Sequence, residues 1–234
     1  MEKSRIYSGI AIMLGLMVLG FQIPKAVSNY RSYDRVVDVK GLCEREVKSD
    51  KVIWPLVYKI VSDDLGALYE QTAVKNAIVI DFLKSAGMDE SEISVSLPSI
   101  SDKFANEYGS NDRIYRYIVT NVITLCTDKV DLALDLMKKQ SELIKEGIVF
   151  DSNNWNNPIE FKYEGLNDIK PSMIEEATKN ARMAAEKFAK DSGSRLGKIK
   201  SASQGTFSIE NRDSNTPHIK RVRVVTYVTY YLKN

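Results

Sequence analysis

Three aspartates at the start of one predicted helix form the densest group of potential cation ligands in the sequence. Asp128, Asp131 and Asp135 follow a β-type run, and the last two share a helix face because they are separated by one helical turn. Clustered carboxylates can bind a hard cation. Aspartates at a helix start are also favoured by the helix dipole and commonly face solvent. We favour this second interpretation and predict neither a metal site nor a cofactor.

A basic group lies near the C-terminus, where Lys220, Arg221 and Arg223 follow His218. On a strand, the two arginines point to the face opposite the intervening valines. Such a group could contact an anionic lipid or polymer. More often, basic residues of this kind cover the face or edge of a sheet and discourage aggregation.

Catalytic chemistry is restricted by the presence of a single histidine, His218. One histidine excludes a multi-His metal site and any His-based triad apart from one built on His218 itself. The sequence contains no glycine-rich phosphate loop and no nucleophile elbow. We therefore predict that the protein is not an enzyme and has no catalytic, cofactor-binding or metal-binding residues.

Two further residue types have open interpretations. Cys43 and Cys126 are too few for a disulfide scaffold, and in an oxidising compartment they could either pair or stay separate. Trp155 lies in an asparagine-rich stretch, residues 151–158, that is typical of a surface loop. This tryptophan could be an exposed anchor for a partner, or it could fold back on the core.

The composition is that of a globular protein. The chain has 234 residues, of which 44% are hydrophobic and 27% are charged, so it can bury a sizeable core. Its 33 basic and 31 acidic residues leave a formal net charge of +2. This near balance gives no general attraction to nucleic acid, and we predict no nucleic-acid partner.

The N-terminus predicts insertion into a membrane. Residues 6–23 are uncharged and mostly apolar, and as a helix they would span roughly 27 Å, close to the hydrocarbon core of a bilayer. We predict an uncleaved signal-anchor that holds the chain in the membrane. The alternative is a cleaved signal peptide, for which Ala26-Val27-Ser28 is a passable cleavage site. The predicted organisation is an anchor with a short tether in residues 1–28 and a folded domain in residues 35–234.

In the folded part, strand patterns come in pairs between three helix patterns. This order predicts an α+β fold with three helices packed on a mainly antiparallel or mixed sheet, preceded by one N-terminal transmembrane helix. The first strand is predicted to end at Gly41, and Pro55 indicates an edge position or a bulge in the second. The three helices are predicted to begin after Ser62, at Asp128 and at Pro171.

Apolar stripes on the second and third helices predict the faces that they bury. The second helix is predicted to end at Gly147. Its stripe is Val130, Ala133, Leu134, Met137 and Ile144. The stripe of the third helix is Ile174, Ala177, Ala181, Ala184 and Phe188.

The stretch Leu166–Glu210 resembles the SIMPL-domain family, also called YggE-like proteins. The shared features are small and charged residues of a helix followed by a short strand, here Ala177, Ala181-Arg182, Ala185-Glu186, Phe188-Ala189 and Leu196-Gly197-Lys198. The opening strand with Gly41 and the later Asp50 also fit the start of the family, and RVRVVTYVTYYL fits its closing strand. A Pro-Asp pair common in the family is Ser49-Asp50 in this chain.

The resemblance implies an exported protein of the bacterial envelope, either periplasmic or membrane-anchored, with a homo-oligomer or an envelope protein as partner. It also implies a loose link to stress tolerance, and it supplies no catalytic residues. We therefore expect a non-enzymatic structural or interaction module outside the cytoplasm. The rival is a binding protein or hydrolase for a small envelope ligand, which a deep apolar pocket with converging polar groups would favour.

Overall fold

The computed structural model describes residues 7, 9, 12–23, 35–105, 114–151 and 155–233. The described residues fall into two compact units. The first unit comprises residues up to 45, residues 168–208 and residues from 222 onward. The second unit comprises residues 46–167 and 209–221.

Nine strands and four helices make up the folded part of the described chain. The strands are β1 (Val36–Lys48), β2 (Lys51–Ser62), β3 (Ile93–Val95), β4 (Ser99–Asp102), β5 (Tyr117–Thr127), β6 (Glu160–Lys162), β7 (Arg195–Gln204), β8 (Ser208–Asn211) and β9 (Ile219–Lys233). The helices are α1 (Leu65–Ser85), α2 (Val130–Lys139), α3 (Ser141–Lys145) and α4 (Leu166–Asp191), with a 3-10 turn at Glu90–Glu92.

The strands form two sheets. One has the order β1-β9-β7, with β8 also paired to β9, and the other has the order β3-β5-β2-β6, with β4 also paired to β5. Strands β2 and β5, β2 and β6, β3 and β5, β4 and β5, and β7 and β9 pair antiparallel. The fold is therefore α+β with antiparallel sheets, as the sequence predicted, although the strands are divided between two sheets.

The predicted number of three helices is wrong, because the second predicted helix is interrupted. The backbone N–H of Gln140 bonds to the carbonyl of Met137, three residues back, so the chain makes a tighter turn between α2 and α3. The turn changes which residues face the core. Leu143 is buried and Ile144 is 56% exposed, so the predicted stripe fails after the break.

At the N-terminus, residues 12–23 are helical. Within the part of the chain that the structure describes, no helix combines the length and the hydropathy needed to cross a membrane. The anchor predicted for residues 6–23 lies partly outside the described residues, and the tether that follows it lies wholly outside them.

Helix α4 begins at Leu166, five residues before the predicted start at Pro171. Its buried residues are spaced four apart and are Met173, Ala177, Ala181, Ala185 and Ala189. The sequence predicted Ala177 and Ala181 correctly. Its choice of Ala184 and Phe188 is wrong, because both side chains are exposed.

Strand β1 continues through Gly41 to Lys48 instead of ending at the glycine. Gly41 is buried on the face of β1 that contacts α4, and the backbone of the helix lies directly against it. The glycine is therefore a contact residue within the strand rather than a strand terminator.

The core of the second unit lies between β2, β5 and the helices α1, α2 and α3. Alternate residues of the two central strands are buried, and Trp54 is aligned with Leu125 across the antiparallel pair. Helix α1 begins where the sequence predicted, because the Asp64 side chain accepts hydrogen bonds from the backbone N–H groups of Gly66 and Ala67. This packing holds β2 in position, and the edge of β2 away from β5 lines the candidate site.

Candidate functional site

A gap in strand pairing opens along one edge of β2. On its other side, β2 pairs with β5 over residues 52–62. On the open side, β6 covers only residues 51–53, and Phe150 forms an isolated bridge with Tyr58. Among the described residues, no strand pairs with residues 54–57 on this side. Within this gap Pro55 is half-buried, whereas Trp54, Leu56 and Val57 are buried.

Pro55 lies in the middle of this gap. The carbonyl of Val57 accepts a hydrogen bond from Asp151 N at 2.8 Å, so the backbone polar groups of Val57 point to the open edge. Those of Pro55, two residues earlier, point the same way. The missing N–H of proline therefore removes no bond to β5, which confirms the predicted edge position. The carbonyl of Pro55 faces the gap.

A cleft of about 460 Å³ lies over the gap and is called here the tryptophan cleft. Residues 54–57 of β2 line it, and its other aromatic lining residues are Phe150 and Trp155. Its volume falls within the range of about 300–1,000 Å³ that is typical of ligand sites. All of the lining residues belong to the second unit.

The aromatic residues of the cleft differ in their exposure to solvent. Trp54 is 2% exposed and belongs to the core, and Phe150 packs edge-on against Tyr58 with ring centroids 6.3 Å apart. Trp155, by contrast, is 95% exposed. An indole left in water has its whole face available for stacking, and covering that face with an apolar surface is favourable. Of the two alternatives that the sequence left open for Trp155, the structure has the exposed side chain.

Three polar side chains also line the cleft, namely Gln140, Asp151 and Asn157. The Asp151 carboxylate accepts a hydrogen bond from Lys59 Nζ at 3.0 Å. Among the described residues that line the cleft, Asp151 carries the only charge, and that charge is therefore already paired. The amide side chains of Gln140 and Asn157 each offer a donor and an acceptor. Together the lining groups can stack on an apolar surface and hydrogen-bond to polar groups at its rim.

The three aspartates singled out in the sequence do not converge. Each lies beside a different lysine, in the pairs Asp128–Lys51 at 3.9 Å, Asp131–Lys48 at 3.4 Å and Asp135–Lys138 at 2.8 Å. The described residues contain no group of three or more side chains placed to hold a metal ion. These carboxylates therefore act as members of surface ion pairs.

The basic group near the C-terminus is split between the two faces of β9. Arg221 and Arg223 are exposed, as predicted, and Arg223 lies 3.5 Å from Glu44. Lys220 is buried and its ammonium group donates a hydrogen bond to Asn211 Oδ1. Desolvation lowers the pKa of Lys220. The two arginines therefore share a face of β9, as the sequence predicted, and Lys220 lies on the opposite face.

The two cysteines are in contrasting environments, and both thiols are free. Cys43 is 2% exposed. Burial, followed by a hydrogen bond to Glu176, raises the pKa of Cys43 to about 11. Cys126 is exposed. Of the two alternatives left open by the sequence, the structure has separate cysteines, one in a core and one at a surface.

The cleft was only partly predictable. The sequence drew attention to Pro55 and Trp155 but not to Gln140, Phe150 or Asn157. The bridge between Phe150 and Tyr58 joins residues that are 92 positions apart in the sequence, and it places Asp151 beside Val57 of β2. The sequence signal that could have indicated the site is the combination of a proline within a β-type run and a tryptophan among asparagines.

The family model SIMPL, described as a protein of unknown function (DUF541), matches residues 37–227. No curated protein matches the chain.

Proposed function

The chain belongs to the SIMPL family, and we propose that it is a non-enzymatic envelope protein whose folded domain binds a small ligand. The tryptophan cleft is the observation that carries this proposal. Amide and carboxylate side chains line the same cleft as aromatic and aliphatic ones, which is the composition expected of a binding site for a small molecule. The folded domain in this proposal comprises residues 35–234.

The proposed location is outside the cytoplasm, with residues 6–23 as a membrane anchor. Support comes from the helical residues 12–23, whose apolar side chains are exposed, including Ile12 at 64% and Phe21 at 77%. Apolar side chains exposed along a helix are favoured by a hydrocarbon environment. The alternative is cleavage near Ala26-Val27-Ser28, which would release a soluble periplasmic protein. A role in stress tolerance, as the family resemblance implies, forms part of the same proposal.

The test is to identify small molecules that the cleft retains. The full chain is purified from membranes, and the compounds released by denaturation are identified by mass spectrometry. Trp155→Ala removes one wall of the cleft, and Asn157→Trp fills part of it. Phe188→Ala is a matched control, because Phe188 is 54% exposed and does not line the cleft.

We expect the same compounds with the wild type and Phe188→Ala, and their loss from both cleft variants. Retention of the compounds by Trp155→Ala and Asn157→Trp would contradict the proposal. So would a wild-type protein that retains no compound above the level found with the cleft variants.

A second candidate function is that of an interaction module, with a second copy of the chain as the partner. A groove of about 520 Å³ at the start of α1 favours it. Exposed apolar side chains surround this groove, including Leu65 at 49%, Tyr69 at 77% and Ile100 at 54%, and Leu97 nearby is 95% exposed. Apolar patches of this kind commonly mark protein interfaces.

Light scattering on the purified chain tests this second candidate. The wild type should form a homo-oligomer, and Tyr69→Asp should lower the molar mass toward that of one chain. A monomeric wild type would reject self-association. In that case, capture of a specific envelope protein by the wild type but not by Tyr69→Asp would assign the groove to a different partner.

A further inference from the structure

We infer that the tryptophan cleft binds a neutral saccharide, an inference that rests on the proposed function. The exposed indole of Trp155 offers a surface on which a sugar ring can stack. The flat face of an indole is electron-rich, and it attracts groups that present positively polarised hydrogens. A pyranose ring presents such C–H groups on its faces, so it can stack on Trp155 while its hydroxyls stay at the rim.

The polar groups at that rim also suit a sugar. Sugar hydroxyls both donate and accept hydrogen bonds, so they are best matched by groups that do both. The amides of Gln140 and Asn157 provide donors and acceptors, and the carbonyl of Pro55 provides a further acceptor. The indole of Trp155 therefore suits the apolar faces of a sugar ring, and the amides of Gln140 and Asn157 suit the hydroxyls at its edge.

The charges of the lining residues favour a neutral ligand. Asp151 is already paired with Lys59 at 3.0 Å, and it is the only charged side chain among the described residues of the cleft. An anionic ligand would lie near the Asp151 carboxylate, and no positively charged side chain among the described lining residues would pair with it. A cationic ligand would have to compete with Lys59. Both cases disfavour a charged ligand, and a neutral one avoids both costs.

The strand edge disfavours an extended peptide as the occupant. A peptide that adds to a sheet relies on a row of backbone hydrogen bonds. The open edge of β2 is limited to residues 54–57, and Pro55 has no N–H to donate. The groups that remain suit a compact ligand better than a strand.

The test measures the binding of uncharged oligosaccharides to the full chain. The probes are chitotriose and maltotriose, and glucose 6-phosphate and glucosamine serve as charged controls. The chain is kept in a detergent without a sugar headgroup, because an alkyl glycoside would compete for the cleft. Calorimetry gives the affinity, and tryptophan fluorescence reports on the site because the chain has only Trp54 and Trp155.

We expect at least one neutral trisaccharide to bind at least tenfold more tightly than either charged sugar. Trp155→Ala should weaken its binding at least tenfold. Trp155→Phe should retain much of the affinity but lose the fluorescence change, because the remaining Trp54 is buried. Combining Gln140→Ala with Asn157→Ala should also weaken binding, whereas Phe188→Ala should leave it unchanged.

Three results would overturn the inference. The first is that neither trisaccharide binds, and the second is that wild type and Trp155→Ala bind a trisaccharide equally well. The third uses the peptide tetra-alanine as a further probe and is that it binds more tightly than both trisaccharides. The proposed function fails separately, when the cleft variants retain the same co-purified compounds as the wild type. Compounds lost from the cleft variants together with no trisaccharide binding would therefore reject the saccharide alone.

Discussion

A Cβ atom placed on Gly41 would lie 1.8 Å from the carbonyl oxygen of Ala177, so β1 and α4 are in contact backbone to backbone. The same atom would lie 2.8 Å from the Cβ of Ala181. Gly41 on the strand therefore packs directly against Ala177 and Ala181 on the helix. Such close packing explains why the buried face of this helix is made of small residues.

The contact predicts that Gly41→Ala destabilises the fold. The added methyl meets backbone atoms that cannot move without shifting the helix, and overpacking of this kind costs at least about 1–3 kcal/mol. Chemical denaturation of residues 35–234 measures the change. Gly66→Ala is the control, because its nearest neighbour would be the Asp64 side chain at 3.3 Å and alanine favours a helix.

The control variant should change the free energy of unfolding by no more than about 1 kcal/mol. Equal stabilities for Gly41→Ala and Gly66→Ala would show that α4 does not lie against β1 as described.

The buried alanine face of α4 predicts that substitutions on this face and on the exposed face of the helix differ in their effect on stability. Ala181 is fully buried, so Ala181→Asp places an unpaired carboxylate in the core and should be severely destabilising. Lys179 is exposed on the same helix, and Lys179→Ala should change stability by less than about 0.5 kcal/mol. Denaturant midpoints of the two variants provide the comparison.

If Ala181→Asp proved as harmless as Lys179→Ala, the alanine face would not be buried. Severe destabilisation by both variants would show that the helix is covered on several sides, as it would be in an oligomer.

The residues that carry the family resemblance are structural. Gly41 and Ala181 form the contact between β1 and α4. The Asp50 carboxylate accepts hydrogen bonds from the backbone N–H groups of Glu164 and Gly165, at 2.8 and 2.7 Å. Ser49, where the family commonly has proline, donates its backbone N–H to the carbonyl of His218 at 2.8 Å. A proline could not make this bond. The family signature thus describes the framework rather than the cleft.

Local pattern predicted the α+β class and most of the elements, but it missed the break between α2 and α3 and some of the buried faces. The sequence offers alanine at both 184 and 185, and either could continue a helical stripe. Packing against the sheet selects Ala185, because the buried series continues in steps of four from Ala181. Pro171 misled the prediction of the helix start, since a missing N–H close to a helix start removes few internal bonds.

The cleft depends on contacts that no local pattern contains. Trp155 and Pro55 could be selected from the sequence as an exposed aromatic residue and a strand-edge residue. Their proximity follows from the pairing of Phe150 with Tyr58, which depends on the folded chain. The amides of Gln140 and Asn157 gave no sequence signal, because asparagine and glutamine are common at surfaces.

The proposed anchor predicts the topology of the chain in the cell. A reporter that is active only in the cytoplasm, fused after Asn234, should give no signal, because the proposal places the folded domain outside. Replacing residues 6–23 with a cleavable signal peptide should keep the domain outside and release it from the membrane fraction. A strong reporter signal from the first fusion would reverse the proposed orientation.

Release of the native chain into the soluble periplasmic fraction would have a different meaning. It would favour cleavage near Ala26-Val27-Ser28, and the N-terminal sequence of the released protein would locate the cut.

The contrast between the two thiols predicts their reactivity. Thiolates react with iodoacetamide and thiols do not, so both exposure and pKa control the rate. Cys126 is exposed and should be modified in the folded protein. Cys43 is buried, and its pKa is raised from the ordinary 9.0 to about 11, so it should react only slowly at neutral pH. Mass spectrometry should find one modification in the folded chain and two after denaturation.

The raised pKa of Cys43 also predicts a loss of stability at high pH. Between about pH 9 and 11 the folded protein holds the Cys43 proton that the unfolded chain releases. The corresponding stabilisation is complete below pH 9 and is lost as the pH rises toward 11. Other groups titrate in this range, so the measurement is the difference in unfolding free energy between the wild type and Cys43→Ser. A difference that stays constant from pH 8 to 11 would show that the Cys43 pKa is not raised by folding.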